Sequence, residues 1–374
     1  CGDSSSKSGF NWLPPSKMSF KKMQSIYGTE ETKKFFKNSV EGSIHTRDII
    51  KEYNIQRDVT GDCNYVVAHH KSKFEQIKEQ AEAYKSEFGI KTKIYSKEEF
   101  NEIGHGGTEQ YGAFSYKPGF AINPLKFLNG IAKYGLSKKL KMFEQTKVNQ
   151  ITKENGSYVL KTKEGSIRSK KIVVATNGFY QEGLIPQMDG RVLPVISNII
   201  VTRKLNEEEI KIHNFKTFSP IANTKNLLYY YRKLPDNRIL FGTRGDLTGS
   251  NQSNLDMSKK MEKFLKDIFP AWSNVTIDYN WRGLIALSQK LTPSIGKIEG
   301  EEIYYGFGYN GVGVSAAPWA GKQLSKLVFS SNSKELDISK IYKGLPEKFI
   351  FPQLRTFYFR LAVWFYAIKD KLNI

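Results

Sequence analysis

Two hydrophobic periods divide this 374-residue chain. Helical spacing marks residues 29–55, with Phe35, Phe36, Val40, Ile44, Ile49 and Ile50 as the buried stripe, and an amphipathic stretch at 258–269 that ends at Pro270. Residues 72–88 read as a charged helix stopped by Gly89, a glycine C-cap, ahead of a strand at 91–95. Strand patterns fall at 61–69, around Tyr65, Val66 and Val67, and at 148–152 and 158–162, where Asn155-Gly156 and Glu164-Gly165 supply hairpin turns. KIVVA, at 171–175, suits burial in a parallel sheet. Thr176-Asn177-Gly178 then turns the chain at the strand's carboxyl end, where open α/β sheets bind ligands. Two β-rich runs flank Pro235-Asp236-Asn237, a hairpin turn in which proline presets φ and Asx residues favour the bend.

The richest stretch is 301–328, EEIYYGFGYNGVGVSAAPWAGKQLSKLV. An apolar run at 303–305 enters a loop holding Gly306, Gly308, Gly311 and Gly313, and helical spacing resumes at 315–328. Glycine lets backbone N–H groups approach a ligand, and the following helix aims its positive end at the same place, so the natural guest is an anion or an electron-rich ring. GFGYNG also satisfies G-x-G-x-x-G. A dinucleotide fingerprint needs a second strand ending in an acidic residue about 20 residues on, and the polar SSNSKELDISKI stands there instead. A glycine-rich surface turn is the plain alternative.

YYGFGYNGVGVSAAPWAGKQLSKLV resembles the C-terminal flavin-contacting segment of the FAD-dependent amine and amino-acid oxidoreductases, the group holding D-amino-acid oxidase, glycine oxidase and γ-glutamylputrescine oxidoreductase. The resemblance implies that Gly306, Gly308, Tyr309, Asn310, Gly311, Gly313 and Val314 lie beside the flavin ring. It extends along nearly the whole chain. Residues 2–9, GDSSSKSG, are similar to the family's G-A-S-G-R-N-G-G loop over the FAD pyrophosphate, which implies contacts from Ser4, Ser5 and Gly9. Residues 110–135 are similar to its Y-x-G-A-L … H-P-L-K … G-x-A segment, with Asn123 where histidine is common; Tyr111, Tyr116 and Lys117 become pocket candidates, although strand aromatics are more often core. The meander ending in V-V-x-A-T-N-G implies adenine contact at Val148 and flavin-side contact at Thr176, Asn177 and Gly178. Trp281-Arg282-Gly283 resembles the W-x-G strand, with Trp281 on the cofactor side, and 291–296 resembles l-P-x-I-G; Lys290, just before it, reads as a salt-bridged surface lysine, with approach to the flavin as the other reading. Arg232 matches the position at which amino-acid oxidases clamp a substrate carboxylate, a bidentate task suited to guanidinium; an exposed strand arginine is the other reading.

The fold this implies is α/β with α+β character: a Rossmann-like FAD-binding domain from 1–58, 136–188 and 292–374, interleaved with an antiparallel-sheet substrate domain from 59–135 and 189–291. Family members open with a strand–GxGxxG–helix–strand unit that these residues lack. The chain therefore reads as a fragment beginning after that unit, with a processed lipoprotein end at Cys1 as the competing expectation.

Composition narrows the rest. A 39% hydrophobic content supports a sizeable core. Two cysteines, Cys1 and Cys63, allow neither a disulfide scaffold nor a CxxC site, and the five histidines show no metal spacing. The net charge of +20 is spread through every segment, so it reads as solvation rather than a nucleic-acid face, with attraction for anionic substrates or membrane surfaces as the alternative. No run reaches the roughly 18–20 apolar residues of a membrane span. The nearest, FIFPQLRTFYFRLAVWFYAIKD, reads as a helix after Pro352 that docks on the protein's own surface or a subunit, with peripheral contact to a lipid surface as the alternative.

The expected activity is FAD-dependent oxidation of a primary or secondary amine or an amino acid, the imine product hydrolysing to an aldehyde or keto acid, in the cytoplasm or peripheral to the inner membrane. Such chemistry asks the protein for position and a dry pocket more than for acid–base groups. The chain offers no evident Ser/His/Asp set or catalytic carboxylate pair. A non-catalytic, lipid-anchored binding protein retaining the fold is the alternative from another class.

Overall fold

The computed structural model describes residues 9–11, 18–55, 58–246, 248–329 and 336–372. An eight-stranded sheet runs in the order Ile277–Leu287, Leu193–Thr202, Ile239–Arg244, Tyr230–Lys233, Ile221–Asn223, Asn64–Val67, Ala113–Lys117, Lys91–Tyr95. Every pairing in it is antiparallel except that of Ile221–Asn223 with Asn64–Val67. Alternation along the strands sorts side chains onto two faces. Ile200, Tyr231 and Phe241 face the helix Asn251–Ile268 through its buried Met257, Met261 and Leu265. Ile199, Tyr230 and Leu240 face the other way.

A smaller sheet orders Ser294–Lys297, Ile303–Phe307 and Ile172–Val174, the last two parallel, and a meander of Gln150–Glu154, Ser157–Lys161 and Ser166–Ser169 stands beside it. Asn155 and Gly156 turn the meander's first hairpin at φ 48° and 75°, the left-handed pair such a two-residue turn requires. Val173, expected to be buried, is 48% exposed: on this edge strand only the face of Ile172 and Val174 is covered among the described residues.

The helix Thr29–Glu52 lies against the helix Gly313–Phe329. Its buried face differs from the apolar stripe read in sequence. Phe35, Phe36, Ile49 and Ile50 are buried, but Ile44 is exposed and Ser39, Gly42, Ser43 and Thr46 fill the contact. Small residues let the backbones close up: a Cβ on Gly42 would sit 3.1 Å from the Ser315 carbonyl oxygen. The Thr46 hydroxyl donates to Gly42 O at 3.0 Å and also lies 3.2 Å from Val314 O. This fixes where the second helix begins.

Lys290 is no surface ion-pair lysine. It is half-buried, its ammonium donates to Lys343 O at 2.7 Å, and burial pushes its pKa down to about 8. The helix Arg355–Leu372 forms as expected and packs on the large sheet through the half-buried Phe359, but none of its residues is fully buried and most of its large apolar side chains are exposed.

Candidate functional site

The two glycine-bearing turns meet. Gly308 N–H donates to Asn177 Oδ1 at 3.0 Å, and both turns face one cavity of about 360 Å³ between these loops and one face of the large sheet. Asn177 reaches this place because it stands at φ 49° in the turn ending the strand Ile172–Val174, a conformation asparagine tolerates better than most residues. Gly178 packs behind it, its missing Cβ 3.4 Å from Leu284 Cβ.

The glycine loop supplies one wall through Tyr309 to Val314. It is stapled to the large sheet: Asn310 N–H donates to Ala286 O at 3.0 Å, and Ser288 N–H to Asn310 Oδ1 at 3.3 Å. Gly308 and Gly311 take φ of 70° and 96°, which a side chain would resist. The 17-residue helix starting at Gly313 presents its N-terminal amides from this wall, where intrahelical acceptors run out.

The opposite wall is the large sheet. Gly283 and Ile285, Ser197 and Ile199, Arg244 and Tyr230 all contribute to it. Ser197 and Tyr230 share a 2.7 Å hydroxyl contact, and burial holds the Tyr230 phenol up at about 12. Arg244 and Lys225 bring positive charge to the lining, and Lys225 is paired with Glu109 at 2.7 Å. Arg244 Nη1 is buried without a hydrogen-bond partner among the described residues, and burial pushes the guanidinium pKa down to about 10. A half-buried guanidinium with no carboxylate against it among the described residues is costly, so this arrangement favours an anionic guest.

Sequence reasoning passed over Arg244. The available signal was parity: Arg244 ends the strand Ile239–Arg244 on the same face as Leu240 and Gly242, and Gly242 lies opposite Tyr230. Arg232 lies elsewhere. Its Nη2 donates to Ile122 O at 2.8 Å and its guanidinium covers the Phe10 ring at 5.5 Å, so it braces Phe10, which lines the cavity, without lining it.

Of the other expected residues, Tyr116 lines the cavity whereas Tyr111 packs toward His70 and beneath the Lys97 ammonium. Gly306 lies within the strand Ile303–Phe307, where a Cβ would come 3.0 Å from Leu324 Cδ1. Gly9 accepts from Ile122 N–H at 2.8 Å and aims the chain into Phe10. Trp281 shares the sheet face of Gly283 but is not in the lining, Thr176 is exposed, and Val148 is half-buried ahead of the meander. Ser4 and Ser5 lie outside the described residues. Lys117 pairs with Asp62 at the surface.

A flat polycyclic ring suits these walls: aliphatic and aromatic surface from Ile285, Ala286, Val312 and Tyr309, glycine backbone, and a helix N-terminus beside them. A small sheet carrying a glycine loop beside a large, mostly antiparallel sheet is the fold of a flavin-dependent oxidoreductase. The FAD dependent oxidoreductase (DAO) family matches residues 9–327, and the chain belongs to it, with FAD as cofactor. The chain is 28% identical over 348 residues to a probable oxidoreductase OrdL of Haemophilus influenzae, covering 88% of this chain and 75% of that protein. It is 26% identical over 362 residues to the gamma-glutamylputrescine oxidoreductase of Escherichia coli, covering 94% and 80%. Among solved structures, glycine oxidase from Geobacillus kaustophilus shares the fold with a TM-score of 0.72 at 15% identity, over 90% of this chain and 87% of that one.

Proposed function

We propose that the enzyme oxidises a primary or secondary amine, or an amino acid, to an imine that water hydrolyses to an aldehyde or keto acid. One observation carries this reading: the Asn177–Gly308 hydrogen bond closes both flavin-side turns onto a cavity whose far wall holds the unpaired Arg244 guanidinium. Residues 308–314 and Asn177 would hold the ring. FAD, when bound, supplies the hydride acceptor for the carbon bearing the amine.

The chain's own residues then position and dry the substrate. Arg244, which lines the cavity where Arg232 does not, receives a substrate carboxylate through charge-assisted hydrogen bonds. Phe10, Tyr116, Ile199 and Ile285 exclude water around the reacting carbon. Gln76, Gln80 and Lys225 also line the cavity, as does Asn223, whose Nδ2 is buried without a partner; they support a substrate with a polar distal group, such as an acylated polyamine. Electrons leave to oxygen or to a membrane acceptor. We take residues 59–135 and 189–291 as the substrate-binding part, since all eight strands of the large sheet fall within them.

The test is a pair of peroxide-coupled and dye-coupled assays of the FAD-loaded enzyme over simple amines, acylated diamines and both enantiomers of amino acids. Turnover of a carboxylate-bearing amine is expected. Failure of every amine to reduce the bound flavin would sink the reading.

A further inference from the structure

The C-terminal helix Arg355–Leu372 carries apolar residues on two sides, and the broader stripe faces outward. Positions 357, 361, 364, 365, 368 and 372 fall on one side of a 3.6-residue turn, and they are Phe357, Leu361, Trp364, Phe365, Ile368 and Leu372. All six are exposed, Trp364 by 66%. Such a stripe belongs against a core or a partner, and here it points outward.

The helix is nonetheless held in place. Arg355 pairs with Glu182 at 2.7 Å at one end. At the other, the Asp370 carboxylate accepts from Asn226 N–H at 2.7 Å, Asn226 Nδ2 at 2.8 Å and Leu227 N–H at 2.8 Å. Phe359 packs onto Leu193, Val195 and Ile285 of the large sheet. The helix's one acidic residue is therefore turned inward, and its anchors fix which side faces out. Charge on the outward side has one sign: by helical position Arg360 and Lys371 flank one edge of the stripe and Lys369 the other, the last over the Phe365 ring at 5.5 Å.

We propose that this face docks on an anionic lipid surface, the helix lying in the headgroup plane with its aromatic stripe inserted and its lysines and arginine at the phosphates. No described helix is long and apolar enough to cross a membrane. An apolar stripe bordered by cations is the pattern of an interfacial helix. A second copy of the chain fits worse, because it would bring the same cations, on a molecule of net charge +20, against themselves. The Asp370 clamp holds residues 226 and 227, next to Lys225 and Leu228 in the cavity lining. Docking thus seats this part of the cavity wall near the lipid.

The test is co-sedimentation of the FAD-loaded protein with vesicles of phosphatidylcholine containing 30% phosphatidylglycerol, against phosphatidylcholine alone, at about 0.1 and about 0.5 M salt. At least tenfold tighter binding to the anionic vesicles is expected, weakened by salt. A triple variant, Leu361→Ser, Trp364→Ser and Phe365→Ser, should lose that binding while keeping its flavin spectrum and melting temperature; Arg360→Gln with Lys369→Gln and Lys371→Gln should lose the preference for anionic lipid. Equal sedimentation of the triple variant and the parent would overturn the proposal. So would a parent that ignores vesicles, whether monomeric or forming a dimer that the triple variant abolishes.

Discussion

A Cβ at Gly311 would stand 2.7 Å from Nη2 of Arg244. The glycine loop and the guanidinium on the facing sheet are thus fitted to each other across the cleft. Gly311 stands at φ 96°, so any side chain there would also strain the backbone. Arg244→Gln should raise KM for carboxylate-bearing substrates by about 30–150-fold, the loss of roughly 2–3 kcal/mol of charge-assisted hydrogen bonding, and leave simple amines nearly unchanged. Gly311→Ala should move the same way by displacing Arg244. Steady-state kinetics on matched substrates with and without the carboxylate decides the matter; equal losses for both would remove Arg244 from substrate recognition.

The Asn177 side chain holds the loop's entry through one acceptor, Oδ1, on Gly308 N–H. Asn177→Ala removes that acceptor and places a residue with no local polar contact at φ 49°. Flavin affinity should fall about tenfold, near the 1–2 kcal/mol of an unmet buried donor, and Asn177→Asp should recover most of it. Titration of apoprotein with FAD by fluorescence quenching measures both. Undiminished binding in the alanine variant would show that the loop holds its shape without the bond.

Local signals were legible where the physics is local. Gly89 caps its helix at φ 62°, and the Asn155-Gly156 and Pro235-Asp236-Asn237 turns fall between the strands expected of them. The glycine loop, its strand and its helix are also where the pattern placed them. The two arginines show where this reasoning stopped. Arg232 lies opposite Leu240 and Arg244 stands four residues further along that strand, about 13 Å away on the same sheet face. Periodicity gives them the same orientation; only the crossing of the glycine loop decides which one meets the cleft. The same limit hid Ile44, because a stripe of serine, glycine and threonine carries no hydrophobic signal although it permits the closest helix approach. The C-terminal helix reversed the usual inference from apolar periodicity, since its ends are pinned by polar contacts.

That close approach makes Gly42 a sensitive position. Gly42→Val would press into Ser315 O, 3.1 Å from the first added carbon, and into Trp319 Cβ at 3.4 Å. Overpacking of this kind costs about 1–3 kcal/mol. It should also shift the N-terminus of the helix Gly313–Phe329, which Thr46 holds through Val314 O, so melting temperature and FAD affinity should fall together. A variant that melts lower yet binds FAD as tightly as the parent would separate the helix contact from the cofactor wall.

His105 sets a pH dependence far from the flavin cleft. Gly107 N–H donates to its Nδ1 at 3.0 Å, leaving Nε2 to carry the proton toward the Tyr231 hydroxyl at 2.8 Å. The ring is enclosed by Phe100, Phe215 and Phe269. Burial, with a smaller effect of His213, pushes its pKa down to about 3. The unfolded chain takes up this proton near pH 6.5 and the folded chain does not. Above about pH 6.5 the group leaves stability untouched; between about 6.5 and 3 it removes roughly 1.4 kcal/mol per pH unit. His69, pushed down to about 4 by burial and then by Lys225, acts in the same direction. Urea unfolding at pH 7 and pH 5 should therefore show a steep loss in the parent. In His105→Gln the starting stability should be lower but the loss between the two pH values smaller, by up to about 2 kcal/mol. Parallel losses in parent and variant would mean that the folded protein accepts the proton at His105, and that the neutral, doubly hydrogen-bonded ring is not what holds this part of the core together.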